Sequence, residues 1–169
     1  MLDPERREAV TQRWFEAVIS SYPAETARFL KGQRDRFANP VGASLRRCLA
    51  ELLDGLVEGR SPEELREALD GVVRVRAVQD FTPAEALAFV PALKPILGRE
   101  LGGEPAPLGV LQARLDDLLL AAVDHYVACR EQVWEIRMNE VRNRSIKVLE
   151  RFNQWRDRRN GGGDDVAVP

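Results

Sequence analysis

Between Gly109 and Gly161 the chain has neither glycine nor proline. Through this stretch Leu111, Leu115, Leu118, Ala122, Tyr126, Cys129, Val133 and Ile136 recur at the three- and four-residue steps of one helix face. The pattern predicts one continuous helix from 108 to about 159. At 1.5 Å per residue it would be about 78 Å long, whereas a compact globule of this chain length has a radius of gyration of only about 15 Å. Such a helix cannot be contained in its own domain. Either its C-terminal part projects and pairs with another chain, or it bends near the polar stretch 139–147.

Elsewhere proline punctuates the chain, because a proline at the first helical position wastes no hydrogen bond and already has a helical φ. Asp3-Pro4, Asn39-Pro40, Ser61-Pro62 and Thr82-Pro83 each place an N-cap residue before such a proline. Ser61 with Glu64 and Thr82 with Glu85 add the reciprocal spacing of a capping box. The spacing predicts a first helix over 4–22 with Val10, Trp14, Val18 and Tyr22 on one face, and a short second helix over 23–31. A third, over 40–58, carries Val41, Leu45, Leu49, Leu52 and Leu56 and stops at Gly59. The segment 62–80 alternates like a strand at 73–77, but Leu65, Leu69, Val72 and Val73 share a helical face, so helix is expected. A fifth helix over 83–101 holds Pro91 and Pro95 and should be kinked or split near residue 90. Gly98, Gly102, Gly103, Pro105 and Pro107 then read as a turn region. The fold class is all-α.

Composition bounds what this helical chain can do. Its 169 residues suffice for one domain with one core. With 44% hydrophobic and 31% charged residues it belongs with folded globular proteins, and a net charge of −2 exerts no global pull on nucleic acid or membrane. The N-terminus lacks the basic and then apolar regions of an export signal, and no apolar run approaches the roughly 20 residues of a membrane span. A cytoplasmic protein is expected. Cys48 and Cys129 lie in apolar helical patterns and read as buried free thiols.

Motifs for catalysis are absent. His125 is the only histidine, which excludes metal sites built from several imidazoles and leaves no Ser-His-Asp or Cys-His arrangement with a spare base. One axial haem ligand is compatible with a single histidine, but the expectation is an ordinary helical residue with no cofactor and no metal. No GxGxxG or GxxxxGK phosphate loop occurs. The polar run Arg74, Arg76, Gln79 and Asp80 interrupts a helix that should be largely buried. Arg76 and Asp80 could pair at i,i+4, or the four could line a small anion or ligand pocket. Residues 137–159 hold eight basic residues against three acidic ones, a net of +5 that leaves −7 elsewhere. With Phe152 and Trp155 interleaved, this stretch admits a nucleic-acid surface. The stripe Val141, Ser145, Val148, Phe152, Trp155 reads better as a helix-pairing seam with charged flanks.

Two stretches carry a family resemblance. Asp35-Arg36-Phe37-Ala38-Asn39-Pro40-Val41-Gly42 and Val72-Val73-Arg74-Val75-Arg76-Ala77-Val78-Gln79-Asp80-Phe81-Thr82-Pro83 resemble the N-terminal domain of the RsbR and RsbRD family of RsbT co-antagonists. Trp14, Tyr22-Pro23, Leu93-Lys94, Cys129-Arg130 and Asn139-Glu140-Val141-Arg142 match in the same order. The resemblance implies a globin-like helical fold that has lost haem, dimerises, and sends a linker helix from each subunit towards an output domain. In full-length relatives that output is a STAS domain that carries phosphorylated hydroxyls and binds the RsbT kinase. By the resemblance, that domain would be expected to begin where the present sequence stops.

The expected organisation is therefore a globin-like sensor domain over 1–136, a linker-like extension of the last helix over 137–159, and a disordered tail over 160–169. The expected function is a non-enzymatic regulatory or scaffolding domain, homodimeric, acting through a partner protein on a helix that includes Val133, Ile136, Val141, Val148, Phe152 and Trp155. Membrane is excluded as a partner, and nucleic acid is the less favoured one. A ligand pocket near Arg74, Arg76 and Gln79 is the alternative.

Overall fold

The computed structural model describes residues 2–32, 39–79, 81–102 and 105–160, with side chains as far as 156. Part of the first resemblance motif, Asp80, and the expected tail beyond 160 lie outside these residues. The described chain is all-α: α1 (Pro4–Ile19), α2 (Ala24–Gly32), α3 (Pro40–Glu58), α4 (Arg66–Ala77), α5 (Pro83–Leu87), α6 (Phe89–Leu101) and α7 (Pro105–Asn160).

The helix starts follow the cap chemistry. Asp3 accepts from the Arg6 amide, Asn39 from the Gly42 amide, and Thr82 and Glu85 form a complete capping box. α1 stops at Ile19, three residues short of the expected end, where the Ser20 and Ser21 hydroxyls donate to the Ala17 and Val18 carbonyls. α3 ends as expected at Gly59, whose φ of 81° is left-handed. Ser61 and Glu64 make their reciprocal bonds, yet 62–65 forms a turn and α4 begins only at Arg66. There the Arg66 amide reaches the Glu63 carbonyl, and Leu65 turns inward over Gly55, where an added Cβ would overlap its methyls.

The strand-like alternation at 73–77 is helical, with Val72, Val73, Arg76 and Ala77 buried. The expected break near residue 90 falls at Ala88, between α5 and α6. Pro91 has no N–H for the Leu87 carbonyl and its ring crowds that residue, so the helix restarts rather than continues. Two expectations fail. Gly98 lies inside α6 and Pro105 and Pro107 inside α7, because prolines in a first turn forgo only hydrogen bonds that have no intrahelical partner. Val41, expected in the core, is 43% exposed.

The chain divides into two compact units, Met1–Arg130 and Glu131–Pro169. In the first, α1 packs on α3 and α6, and α3 on α4. Trp14, Phe15, Leu49, Leu52, Val72, Phe89 and Leu93 form the centre of its core. Leu111, Leu115, Leu118, Ala122, Tyr126 and Cys129 add the predicted face of α7 to the same core. Two arginines of α7 close the ends of other helices: Arg114 donates to the Leu56 and Val57 carbonyls and Arg130 to the Ala77 carbonyl. Both cysteines are free and buried. No helix among the described residues is long and apolar enough to cross a membrane.

Candidate functional site

Within the polar run, Arg74 and Arg76 turn to opposite sides of α4. Arg74 is exposed and pairs with Asp70 at 3.2 Å, one turn earlier on α4. Arg76 points the other way and is 1% exposed. Its Nε donates to the Ala86 carbonyl at 2.8 Å, and Nη2 donates to the Glu85 carbonyl at 2.7 Å and to Ser21 Oγ at 2.9 Å. The guanidinium also lies over the Phe81 and Tyr22 rings, 4.5 and 5.3 Å from their centroids. Arg76 thus ties the end of α4 to the chain leaving α1 and to α5.

Three polar atoms in this neighbourhood, Tyr22 Oη, Arg76 Nη1 and Gln79 Oε1, are buried with no hydrogen-bond partner among the described residues. Tyr22 and Gln79, with Pro23, Thr26 and Phe81, line a cleft of about 370 Å³. Burial pushes the Tyr22 hydroxyl above its ordinary pKa despite the neighbouring Arg76 charge. Burial likewise lowers that of Arg76, countered by Tyr22 and Glu85.

The lone histidine has a specific partner that the sequence did not reveal. His125 Nε2 lies 2.7 Å from Asp70 Oδ1, joining α7 to α4, and because an ionised carboxylate only accepts, Nε2 is the donor. Cys129, one turn along α7, completes a group whose ligating atoms all lie within 4.8 Å of one another. Burial works to raise the Asp70 pKa, but hydrogen bonds from His125 and Arg74 outweigh it and hold the carboxyl below its usual value. Burial, and then the Asp70 charge, push the Cys129 thiol up, the opposite of an activated nucleophile.

In the second unit the residues of the predicted pairing helix are presented outward. Ile136, Val141, Val148, Phe152 and Trp155 are between 54% and 64% exposed, and Val133 is half-buried. The exposed set also includes Trp134 and Met138, which extend the stripe backwards at unbroken four- and three-residue steps: Trp134, Met138, Val141, Ser145, Val148, Phe152, Trp155. Sequence reasoning followed the core face of α7 through Val133 and Ile136 and so missed these two. The signal was the strict heptad spacing counted back from Val141. In heptad terms Arg137, Arg144 and Arg151 flank one side of the seam, and Glu135, Arg142, Leu149 and Arg156 the other.

A small all-α domain with a closed core and a last helix that carries an exposed heptad stripe is the class these features define. The family model of the RsbT co-antagonist protein rsbRD N-terminal domain matches residues 8–141, and the chain belongs to that family of regulatory domains. An uncharacterised protein of Archaeoglobus fulgidus is 25% identical over 139 residues, covering 79% of this chain and 83% of its own. No solved structure matches.

Proposed function

We propose that this chain is a non-enzymatic regulatory domain, cytoplasmic and haem-free, whose globin-like bundle acts through protein contacts made by the seam of α7. The observation that carries this reading is the run of large apolar side chains from Trp134 to Trp155, each at least 43% exposed. Covering one such side chain stabilises a complex by about 1.5–3 kcal/mol before the cost of association, so several on one stripe suffice for a specific interface.

The flanking charges indicate what covers the stripe. In a parallel pair of identical helices Arg137 faces Arg142 and Arg151 faces Arg156 of the other copy; in an antiparallel pair the Arg137, Arg144 and Arg151 rows face each other, offset only in part by Glu135 opposite Arg156 on the other flank. Both orientations bring like charges together. A partner helix with acidic flanks meets no such cost, and is the favoured occupant. The homodimer implied by the family resemblance becomes a state that salt favours by screening the arginines.

Replacing Val148 and Phe152 by Glu in the full chain tests the reading. Both residues are exposed, so the variant should melt within about 2 °C of the parent, a surface-sized effect. It should lose both the protein captured from an extract of the source organism and any salt-induced doubling of mass in light scattering. Retention of both would remove the seam from the function.

A second reading, a small-ligand domain, is supported by the three orphaned polar atoms beside the Tyr22–Gln79 cleft. An unpaired acceptor on Gln79 and the Tyr22 hydroxyl line the cleft, with the Arg76 charge behind the Tyr22 ring, which suits a compact anion that also carries a hydroxyl. A thermal-shift screen of small hydroxy-carboxylates should then give a hit that Gln79→Ala abolishes. No shift across the panel, or one indifferent to Gln79→Ala, counts against this pocket.

A further inference from the structure

We propose that Asp70, His125 and Cys129 form a binding site for a divalent transition-metal ion of the zinc class, joining α4 to α7. A single histidine excludes a site made of several imidazoles, but not one of mixed donors. His125 and Cys129 stand four residues apart on α7, the spacing that puts two side chains on one face a turn apart and lets both reach one ion. Asp70 arrives from α4 and supplies the third donor from across the helix interface.

The geometry is near that of a metal complex. Tetrahedral bond lengths of about 2.0–2.1 Å to nitrogen and oxygen and about 2.3 Å to sulfur place donor atoms roughly 3.3–3.6 Å apart. Nε2 and Oδ1 are 2.7 Å apart and all three donors lie within 4.8 Å, so adjustments of about an ångström assemble the set. Asp70 and His125 are 30% and 20% exposed at the side chain, while Cys129 is buried, so the group meets solvent on one side and has sulfur on the other. Three protein ligands and a solvent-facing fourth position is the pattern of an exchangeable site.

Donor chemistry selects the ion. One imidazole, one thiol and one carboxylate suit Zn²⁺ or Co²⁺ and disfavour Mg²⁺ and Ca²⁺, which require oxygen ligands. On binding, the ion takes the place of the Nε2 hydrogen shared with Asp70; that hydrogen moves to Nδ1 or leaves to solvent, and the thiol proton of Cys129 is released. Arg74 Nε donates to the same Asp70 Oδ1 that His125 reaches, so the carboxylate offers the ion Oδ2 or the remaining lone pair of Oδ1 while Arg74 holds its orientation.

The test uses the full chain, reduced and stripped with chelator. Titration with CoCl₂ should produce a thiolate-to-cobalt charge-transfer band that saturates at one ion per chain and is displaced by ZnCl₂. Cys129→Ser should abolish the band and weaken Zn²⁺ at least about tenfold by calorimetry. Asp70→Asn and His125→Gln should each weaken Zn²⁺ by a similar factor, with helical circular dichroism confirming that each variant is folded. Cys48→Ser should leave the band intact, since its sulfur packs on Gly71 and is not among the three donors. The proposal is overturned by absence of the band in folded, reduced protein, by a band that survives Cys129→Ser, or by unchanged Zn²⁺ affinity in Asp70→Asn.

Discussion

Trp14→Ala lowers the stability of this domain by about 3–5 kcal/mol, the usual cost of truncating a buried tryptophan. Trp14 has no exposed surface at the meeting of α1 with α6. Its ring stacks on Phe89 with centroids 6.4 Å apart, and its Nε1 donates to the Phe89 carbonyl at 2.6 Å. Phe89 opens α6 immediately after the Ala88 break, so this contact fixes the point at which the split helix restarts. A domain of this kind has only about 5–15 kcal/mol in all. In urea, with a slope near 2 kcal/mol per molar, the midpoint should fall by about 2 M, read by circular dichroism because Trp134 and Trp155 would blur a fluorescence signal. Trp14→Phe keeps most of the burial and loses the hydrogen bond, so it should cost only about 1–2 kcal/mol. A loss below about 1 kcal/mol for Trp14→Ala would show that α1 and α6 are not held together here.

Most of this architecture is legible in the sequence because its signals are local. Three of the four proline-marked caps open a helix where expected, since a side-chain oxygen three residues from an amide needs no tertiary help. Ser61-Pro62 makes the same local bonds but is followed by a turn, because the placement of Leu65 against Gly55 is decided by α3. The core face of α7 is legible for the same reason as the caps: helical periodicity is a property of the segment itself.

The candidate sites are legible only in part, and the division follows sequence distance. The heptad stripe from Val141 to Trp155 is local and could be named in advance. Trp134 and Met138 belong to the same stripe but lie where a second apolar face, ending at Cys129 and Val133, overlaps it. The Asp70–His125 bond spans 55 residues and Arg76 finds its oxygens on other elements, so neither has a sequence signature. What the sequence showed at 74–80 was that polar residues intrude on a buried helix. It could not show that Arg74 turns to Asp70 and solvent while Arg76 turns inward.

Arg76→Met should cost about 2–4 kcal/mol, and the reason lies in what the substitution leaves behind. Two effects oppose each other. Removing a buried charge relieves its desolvation, and replacing a whole buried ion pair by apolar residues is often neutral for that reason. Here the hydrogen bonds of Arg76 run to neutral oxygens, and its substitution removes only the donor. The Ala86 carbonyl loses a 2.8 Å bond, and the Glu85 carbonyl keeps only a weak one from the Ala88 amide at 3.4 Å. A buried acceptor stranded in this way costs about 1–3 kcal/mol, and methionine nearly fills the space, so cavity formation adds little. Arg76→Lys keeps the charge but offers one nitrogen where the guanidinium reaches three oxygens, so it should fall between the parent and Arg76→Met. Denaturant titrations of the three proteins decide it. An Arg76→Met variant as stable as the parent, or more stable than Arg76→Lys, would mean that the charge at this junction is a net burden retained for binding, and would move the weight of the argument to the Tyr22–Gln79 cleft.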